Sequence, residues 1–144
     1  LGVATLSFSE ISKGMKLTGA KRQLEEALVR AKTAARQENV TYRVIVHPAG
    51  APHPNVYEFL MNTETAGGWQ LVPVDKSAGE EGVYRADGHV YVPLSGGVVV
   101  QQGAEIEFRP RGTTMSATPA EVVLRAGNRT ARISVDASGK VNVR

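Results

Sequence analysis

A metal or nucleophilic site would first show itself in histidine and cysteine, and this chain has three histidines and no cysteine. His47 and His53 are six residues apart in a proline-rich stretch, a spacing that matches no common zinc motif, and His89 stands alone. Without cysteine, a disulfide framework and thiolate metal ligands are excluded. We therefore interpret His47 and His53 as solvated loop residues and predict no metal site.

The carboxylate and glycine clusters also lack the pattern of a catalytic centre. Glu80 and Glu81 belong to a charged loop, and Glu105 and Glu107 alternate with apolar residues, as on the outer face of a strand. The glycines of Ser95–Gly97 lack the following lysine and helix of a phosphate-binding loop. No nucleophile, base and orienting group can be combined from these residues, so the sequence predicts no enzyme, no catalytic residue and no cofactor.

Positive charge is unevenly distributed along the chain, whose net charge is +3. Residues 1–47 hold eight Lys and Arg against four Asp and Glu, residues 48–104 hold two against six, and residues 105–144 hold seven against four. Two interpretations of the C-terminal cations stay open. Their charges are either paired with Glu121 and hydrated by water, or they form a face that binds the phosphates of DNA or another anion. The candidate DNA- or anion-binding residues are Arg125, Arg132, Lys140 and Arg144, with Arg109 and Arg111 as further members.

Two tight turns align these cations on one face of a sheet. Gly127-Asn128 is typical of a two-residue hairpin, and Ala137-Ser138-Gly139 of a three-residue hairpin with glycine in the left-handed conformation. On the outer face this register places Arg132 opposite Arg144, and like charges in such a position are mildly destabilising. The pairs predicted to face the core are Val122 with Ile133, Leu124 with Ala131, Val135 with Val141, and Ile133 with Val143.

A long amphipathic helix precedes the strands. If residues 9–38 are all helical, the helix is about 45 Å long at 1.5 Å per residue, more than this domain needs to cover its own core. Gly14 and Gly19 each cost about 1 kcal/mol relative to alanine, so we expect a bend or a fraying turn there. Phe8, Ile11 and Met15 form a short apolar stripe before this point. The longer stripe, predicted to face the core, consists of Leu17, Ala20, Leu24, Ala27, Leu28, Ala31 and Ala35.

The rest of the chain, residues 39–144, has the period of two that antiparallel strands show. The predicted fold class is α+β, with residues 1–38 as a helix packed on antiparallel sheets in one structural domain. Residues 47–55, 63–68 and 75–82 are predicted to be exposed loops. Residues 1–8 are expected to be the end of a truncated transmembrane segment; a cloning scar or frayed end is the alternative. The predicted strands lie within 40–47, 56–62, 69–74, 89–94, 97–101, 104–110, 121–126, 129–136 and 140–144.

Several elements in this order resemble the minor pilins and pseudopilins of the FimT/GspH type. The chain combines a leading apolar stub, a long helix that ends in LEEALVRAKTAARQENVTYRVIV, the segment IEFRPRGT and a closing ARISVDASGKVNV. The family's aromatic-x-Pro-x-Gly element matches Phe108, Pro110 and Gly112. Its Gly-Arg/Lys-Val tail matches Gly139 to Val141. The resemblance covers both ends of the chain and is weak over residues 48–100.

The resemblance implies a pilin-like fold. It also implies that the protein is a subunit that takes part in the assembly or in the tip of a type IV pilus or a type II secretion pseudopilus. It implies a leader cleaved by a prepilin peptidase, anchoring in the inner membrane through the N-terminal helix, and a globular part that is periplasmic or extracellular. The implied partners are other pilins or pseudopilins and the inner-membrane assembly machinery. Packing of helices in the filament would use Phe8, Ile11, Met15 and Leu17.

The resemblance also carries an alternative function, because some FimT-like members look like DNA receptors for DNA uptake. Those members use a Gly-Arg-x-Arg motif near the C-terminus, whereas this chain has Gly139-Lys140-Val141-Asn142. Lysine offers a phosphate only a point charge, whereas arginine can form two parallel hydrogen bonds. Asn142 stands where the motif has its second arginine, so one cation is missing, although Arg144 follows two positions later.

Overall fold

The computed structural model describes the backbone of residues 2–65, 68–114 and 119–144, and side chains within residues 11–63, 68–114 and 119–144. These residues form one long helix followed by ten strands. The helix is α1 (Gly2–Glu38). The strands are β1 (Tyr42–His47), β2 (Val56–Thr65), β3 (Gly68–Val74), β4 (Tyr84–Ala86), β5 (His89–Pro93), β6 (Val99–Gln102), β7 (Ala104–Phe108), β8 (Ala120–Ala126), β9 (Arg129–Val135) and β10 (Val141–Val143).

The strands form two antiparallel sheets, and both sheets pack against α1. The first sheet has the order β4-β5-β2-β1-β7, with β3 paired to β2, and the second has the order β10-β9-β8-β6. The predicted α+β class is therefore confirmed, with a long N-terminal helix packed on antiparallel sheets. Among the described residues, no helix is sufficiently long and apolar to cross a membrane.

The apolar stripe of α1 is the centre of the hydrophobic core. All seven residues of the predicted long stripe are buried, and Leu24 and Leu28 are completely inaccessible to solvent. Alanine at four of the seven positions allows the strands to lie close to the helix axis, so that α1 contacts β1, β7, β8, β9 and β10. The two sheets consequently enclose one side of the helix and leave its other side exposed.

Helix α1 continues through Gly14 and Gly19, so the expected fraying turn at these glycines is wrong. The Thr18 hydroxyl donates a hydrogen bond of 2.9 Å to the Gly14 carbonyl oxygen. A Cβ atom on Gly14 would lie 3.1 Å from Nη1 of Arg129, so the lack of a side chain lets the β8–β9 turn approach the helix. Contact with the strands holds this segment helical against the low helix propensity of glycine.

The end of α1 is defined by a left-handed residue. Asn39 has φ of 56°, and the Val40 amide donates a hydrogen bond of 3.2 Å to the Ala35 carbonyl oxygen. This is the geometry with which helices commonly terminate. The Tyr42 hydroxyl then donates a hydrogen bond to the Glu38 carboxylate, which fixes the first strand to the last turn of the helix.

Both predicted C-terminal hairpins have the register derived from their turns. The pairs Val122 with Ile133 and Leu124 with Ala131 join β8 to β9. Val141 pairs with Val135 in the second hairpin, and Val143 pairs with Ile133. The Arg132 and Arg144 backbones exchange hydrogen bonds of 3.0 and 2.8 Å, so these two arginines are direct neighbours, as predicted.

Two predictions about the middle of the chain need correction. Part of the expected loop 63–68 is strand, because β2 extends to Thr65 and β3 begins at Gly68. Backbone pairing sustains these ends although their side chains are polar. Strand β4 was not predicted, yet the Asp87-Gly88 turn, with φ of 52° and 80°, is a typical hairpin signal between β4 and β5.

Candidate functional site

The exposed side of α1 near its N-terminal end carries an apolar groove, which we call the helix groove. Ile11 is 60% exposed and Met15 is 70% exposed, which is unusual for large apolar side chains in a folded domain. The Cβ positions of Gly14 and Gly19 face the chain's own Arg129 and Ser95, at 3.1 and 3.8 Å. The helix groove is lined by Ile11, Gly14, Met15, Thr18, Gly19, Arg22 and Arg129.

Of the four predicted filament-packing residues, Ile11 and Met15 line this groove. Leu17 is only 7% exposed and packs in the core of its own domain, so its assignment to a filament contact is wrong. It belongs to the buried stripe because helical periodicity places it three residues before Ala20. The Phe8 side chain lies outside the described side chains.

Three of the six predicted DNA- or anion-binding cations lie together on the outer face of the second sheet. Arg125, Arg132 and Arg144 are exposed, and Arg132 is adjacent to Arg144 across β9 and β10. Nη1 of Arg132 forms an ion pair of 2.5 Å with Glu121, as the solvated-surface interpretation expected. Among the described residues, Arg125 and Arg144 form no ion pair.

The other three predicted cations lie at the opposite end of the second sheet, near the last turns of α1. Arg109 and Arg111 are exposed in the turn after β7, and Lys140 is exposed in the turn before β10. Here two further cations of the helix, Lys32 and Arg36, lie close to the same turns. A Cβ atom on Gly112 would lie 3.1 Å from Cδ of Arg36 and 3.3 Å from Cε of Lys32.

We call the group formed by Lys32, Arg36, Arg111 and Lys140 the basic flank of α1. A cleft between the helix and the β9–β10 turn is lined by three of its members and by Thr33. Among the residues that the structure describes, none of the four cations forms an ion pair. Lys32 and Arg36 are four residues apart and therefore lie on one helix face, and this spacing is the sequence signal that would add them to the candidate anion-binding residues.

The turn that presents Lys140 is held by Asp136. The Asp136 carboxylate accepts hydrogen bonds from the backbone amides of Ser138 and Lys140, at 3.0 and 3.1 Å. Hydrogen bonds from the Ser138 hydroxyl and the Lys140 amide hold the pKa of Asp136 below its ordinary value. The Asp136 carboxylate is therefore held in its ionised form beside the Lys140 ammonium group, whose charge also lowers the pKa of Asp136.

The three histidines form a cluster on the outer face of the first sheet. The interpretation of His47 as a solvated loop residue is wrong, because His47 ends β1, whereas His53 lies in a loop as predicted. Glu58 is only 3% exposed, and its two oxygens lie 2.7 Å from Nε2 of His47 and 2.6 Å from Nδ1 of His89. His53 stacks on the Tyr91 ring with centroids 4.2 Å apart. Each Glu58 oxygen therefore has an imidazole partner, which offsets the cost of burying the carboxylate.

This histidine cluster fastens the loop 48–55 to the sheet beneath it. Strand pairing places Glu58 next to β1, and β5 brings His89 and Tyr91 to the other side of β2. Within the described residues, no group of three His, Cys, Asp or Glu side chains is arranged to hold a metal ion. The hydrogen bonds of His47 and His89 to Glu58 and the stacking of His53 on Tyr91 are the contacts of a structural element.

A family model described as "Type II transport protein GspH" matches residues 20–139 of this chain. The type IV minor pilin FimU of Pseudomonas aeruginosa (strain PAO1) has a similar structure, with a TM-score of 0.60 and 11% sequence identity over 93% of this chain and 92% of that chain. The minor pseudopilin EpsH of the Vibrio cholerae type 2 secretion system is similar with a TM-score of 0.57 and 13% identity, over 90% and 96% of the two chains. A comparison with curated protein sequences gives no match.

At such identities the two structures show a shared pilin-like fold. The family model rests on the sequence itself and covers most of the chain, from within α1 to the turn before β10. The match therefore includes most of the buried part of α1 and the strands β1 to β9, and it ends before Lys140, β10 and Arg144. The chain belongs to the GspH family of type II transport proteins.

Proposed function

We propose that this protein is a minor pilin or pseudopilin subunit that assembles with other pilins through its N-terminal helix. Its role is structural and not catalytic, and its setting is a type IV pilus or a type II secretion pseudopilus. Membership of the GspH family supports this function, as do folds shared with FimU, described as a minor pilin, and EpsH, described as a minor pseudopilin.

The single observation that carries the proposal is the length of α1 beyond its own core. Leu17 is the most N-terminal of the described helix residues in the core, whereas the helix begins at Gly2. The preceding segment, Gly2 to Lys16, is about 22 Å long at 1.5 Å per residue. A helix that extends this far and exposes Ile11 and Met15 has apolar surface suited to packing against a neighbouring helix.

We further propose the cellular arrangement that this function requires. In the full-length protein, the N-terminal helix would anchor the subunit in the inner membrane before assembly, and the globular part would be periplasmic or exposed on the filament. The inner-membrane assembly machinery would then recruit it. The position of the helix groove at the N-terminal end of α1, next to the segment that would enter the membrane, supports this arrangement.

Substitution of the helix groove should prevent assembly without unfolding the domain. Replacing both Ile11 and Met15 with Asp should reduce incorporation into filaments by at least about tenfold, which corresponds to about 1.4 kcal/mol of lost binding free energy. Because both side chains are exposed, the free energy of unfolding should change by less than about 0.5 kcal/mol. Immunoblots of sheared filaments and urea unfolding measure the two quantities.

Trp69→Asp is the matched control for this experiment. Trp69 is 68% exposed, nearly as much as Met15, but lies on β3 outside the helix groove, so its substitution should leave incorporation unchanged. Normal incorporation of the Ile11 and Met15 double variant would count against assembly through this surface.

DNA capture is a second candidate function, favoured by the two exposed arginines without ion pairs among the described residues, Arg125 and Arg144. The similar structures are described as a minor pilin and a minor pseudopilin, and neither description mentions DNA, so this candidate rests on charge alone. The binding residues would be Arg125, Arg132, Lys140 and Arg144, with Arg109 and Arg111.

A salt titration with duplex DNA tests this second candidate. If the face binds phosphates, Lys140→Ala and Arg144→Ala should each weaken binding and each lower the slope of log K against log salt by about 1. Glu105→Ala, which changes an exposed charge on the first sheet, is the control and should leave the slope unchanged. Equal affinity of the chain and both alanine variants would eliminate this site.

A further inference from the structure

The two sides of α1 carry opposite charge. On the side facing β10 lies the basic flank, with Lys32, Arg36, Arg111 and Lys140. On the side facing the loop between β3 and β4 lies a second cleft, whose acidic residues Glu26, Glu80 and Glu81 we call the acidic flank. Between the two flanks the helix carries a shallow groove, which shares Glu26 with the acidic cleft and Val29 with the basic cleft.

The acidic flank is held in place by contacts between its loop and the helix. The Gln23 side chain donates hydrogen bonds to the Glu80 carboxylate at 3.1 Å and to the Pro93 carbonyl oxygen at 3.0 Å. Arg30 donates a hydrogen bond of 2.6 Å to the Lys76 carbonyl oxygen and approaches Glu80 at 3.8 Å. These hydrogen bonds hold the loop against α1 and fix the position of the Glu80 carboxylate.

The exposed carboxylates of the acidic flank lack partners within the described part of the chain. Glu26 and Glu81 are both exposed and form no ion pair there, while Glu80 is shared by Gln23 and Arg30. Arg22 is the single cation among the described residues that line the cleft, so acidic side chains outnumber basic ones in this lining.

The basic flank has the opposite excess. In its cleft Glu25 is the single acidic residue among the described lining residues, against Lys32, Arg36 and Lys140. The nearby Asp136, ionised and hydrogen-bonded within its own turn, adds a second negative charge beside Lys140, so the cations still outnumber the carboxylates. Cations held this close repel one another, and an acidic surface placed on them would relieve the repulsion.

We propose that the basic flank of one subunit docks on the acidic flank of a second copy of this chain. The contact is heterologous, because each copy contributes a different surface, so it does not close a symmetric dimer and leaves each copy with one unoccupied flank for a further neighbour. The midpoint of Lys32 and Arg36 is eight residues from Glu26 along α1. With the helices parallel, neighbouring copies would be displaced by about 12 Å along the helix axis.

This docking deepens the proposed filament role and rests on it for its cellular setting. Its chemistry is separate from that of the helix groove, because the flanks are charged and lie beside the globular part. If the two flanks show no contact while incorporation through the helix groove is normal, this inference is overturned and the proposed function stays in place.

Disulfide trapping can test the contact, since the chain has no cysteine of its own. One preparation carries Thr33→Cys, in the basic cleft, and a second carries Ser95→Cys, in the acidic cleft; both residues are exposed and uncharged. Mixed and oxidised at low salt, the two should yield at least about fivefold more cross-linked dimer than either preparation alone. Near 1 M salt, where the Debye length is about 3 Å, the excess should disappear.

Charge exchange shows whether the flanks cause the trapping. Arg36→Glu on the Thr33→Cys chain should remove the excess, and Glu26→Arg together with Glu81→Arg on the Ser95→Cys chain should restore it. Lys140→Glu is a second reversal in case Arg36→Glu impairs folding, and thermal unfolding of each variant checks this.

The matched control pairs Thr33→Cys with Ala49→Cys, an exposed position in the loop after β1. Equal trapping of Thr33 with Ser95 and with Ala49 would overturn the proposal, as would trapping that charge reversal does not affect. A predominance of dimers of the Thr33→Cys chain alone would show a symmetric contact instead.

Discussion

Replacing Gly139 with alanine should destabilise the chain by about 2–5 kcal/mol. Gly139 has φ of +83°, a conformation that costs a residue with a Cβ atom free energy. A Cβ atom here would also lie 1.9 Å from the carbonyl oxygen of Gly112, so the β9–β10 turn or the turn after β7 has to move. Urea unfolding followed by circular dichroism measures the loss.

Gly79→Ala separates the two causes of this loss. Gly79 has a nearly identical φ of +86°, but nothing lies within 4 Å of its Cβ position. Its substitution should cost about 1–2 kcal/mol, the conformational part alone. Equal destabilisation by both variants would show that the close approach of Gly112 to Gly139 does not contribute to stability. The packing of the two turns beside the basic flank would then not contribute to it either.

Replacing Leu24 with alanine should destabilise the chain by about 2–5 kcal/mol, the cost of removing a buried leucine and leaving a cavity. Leu24 is completely buried in the core beneath the two sheets. The sheets are held at this distance by many other contacts, so they cannot collapse fully onto the smaller side chain. The midpoint of urea unfolding should fall, with no large change in the slope of the transition.

Val29→Ala is the control for position on the helix, because Val29 is 48% exposed on the opposite side of α1. Its substitution should change the free energy of unfolding by less than about 0.5 kcal/mol. A loss at Leu24 as small as that at Val29 would mean that the helix is not the centre of the core. Since Leu24 is buried, a defect in filament incorporation of its variant should follow the loss of stability.

The elements that could be predicted are those set by short-range patterns. The buried stripe of α1 was predicted residue by residue, because spacings of three and four define one face of any helix. The two C-terminal hairpins were predicted with their register, because Gly127-Asn128 and Ala137-Ser138-Gly139 fix which residues oppose each other. In these cases the interacting residues are close in sequence.

The predictions that failed concern residues that are distant in sequence. Glu58 meets His89, 31 residues later, only because β5 lies beside β2 in the sheet. Lys32 and Arg36 join Lys140 only because the β9–β10 turn packs against the end of α1. Helix propensity alone favoured a fraying turn at Gly14, and the approach of Arg129 from another element outweighed it.

The sequence by itself determined the long helix, the antiparallel character of the rest, the family resemblance and the inward faces of the helix and hairpins, because these follow from periodicity and turn chemistry over short stretches. The tertiary structure alone decided that Leu17 is buried while Ile11 and Met15 stay exposed, that His47 and His89 both bind Glu58, and that α1 has an acidic and a basic flank. The physical reason is that burial and charge clustering depend on which distant segments meet, and the order of strands in the two sheets sets those meetings.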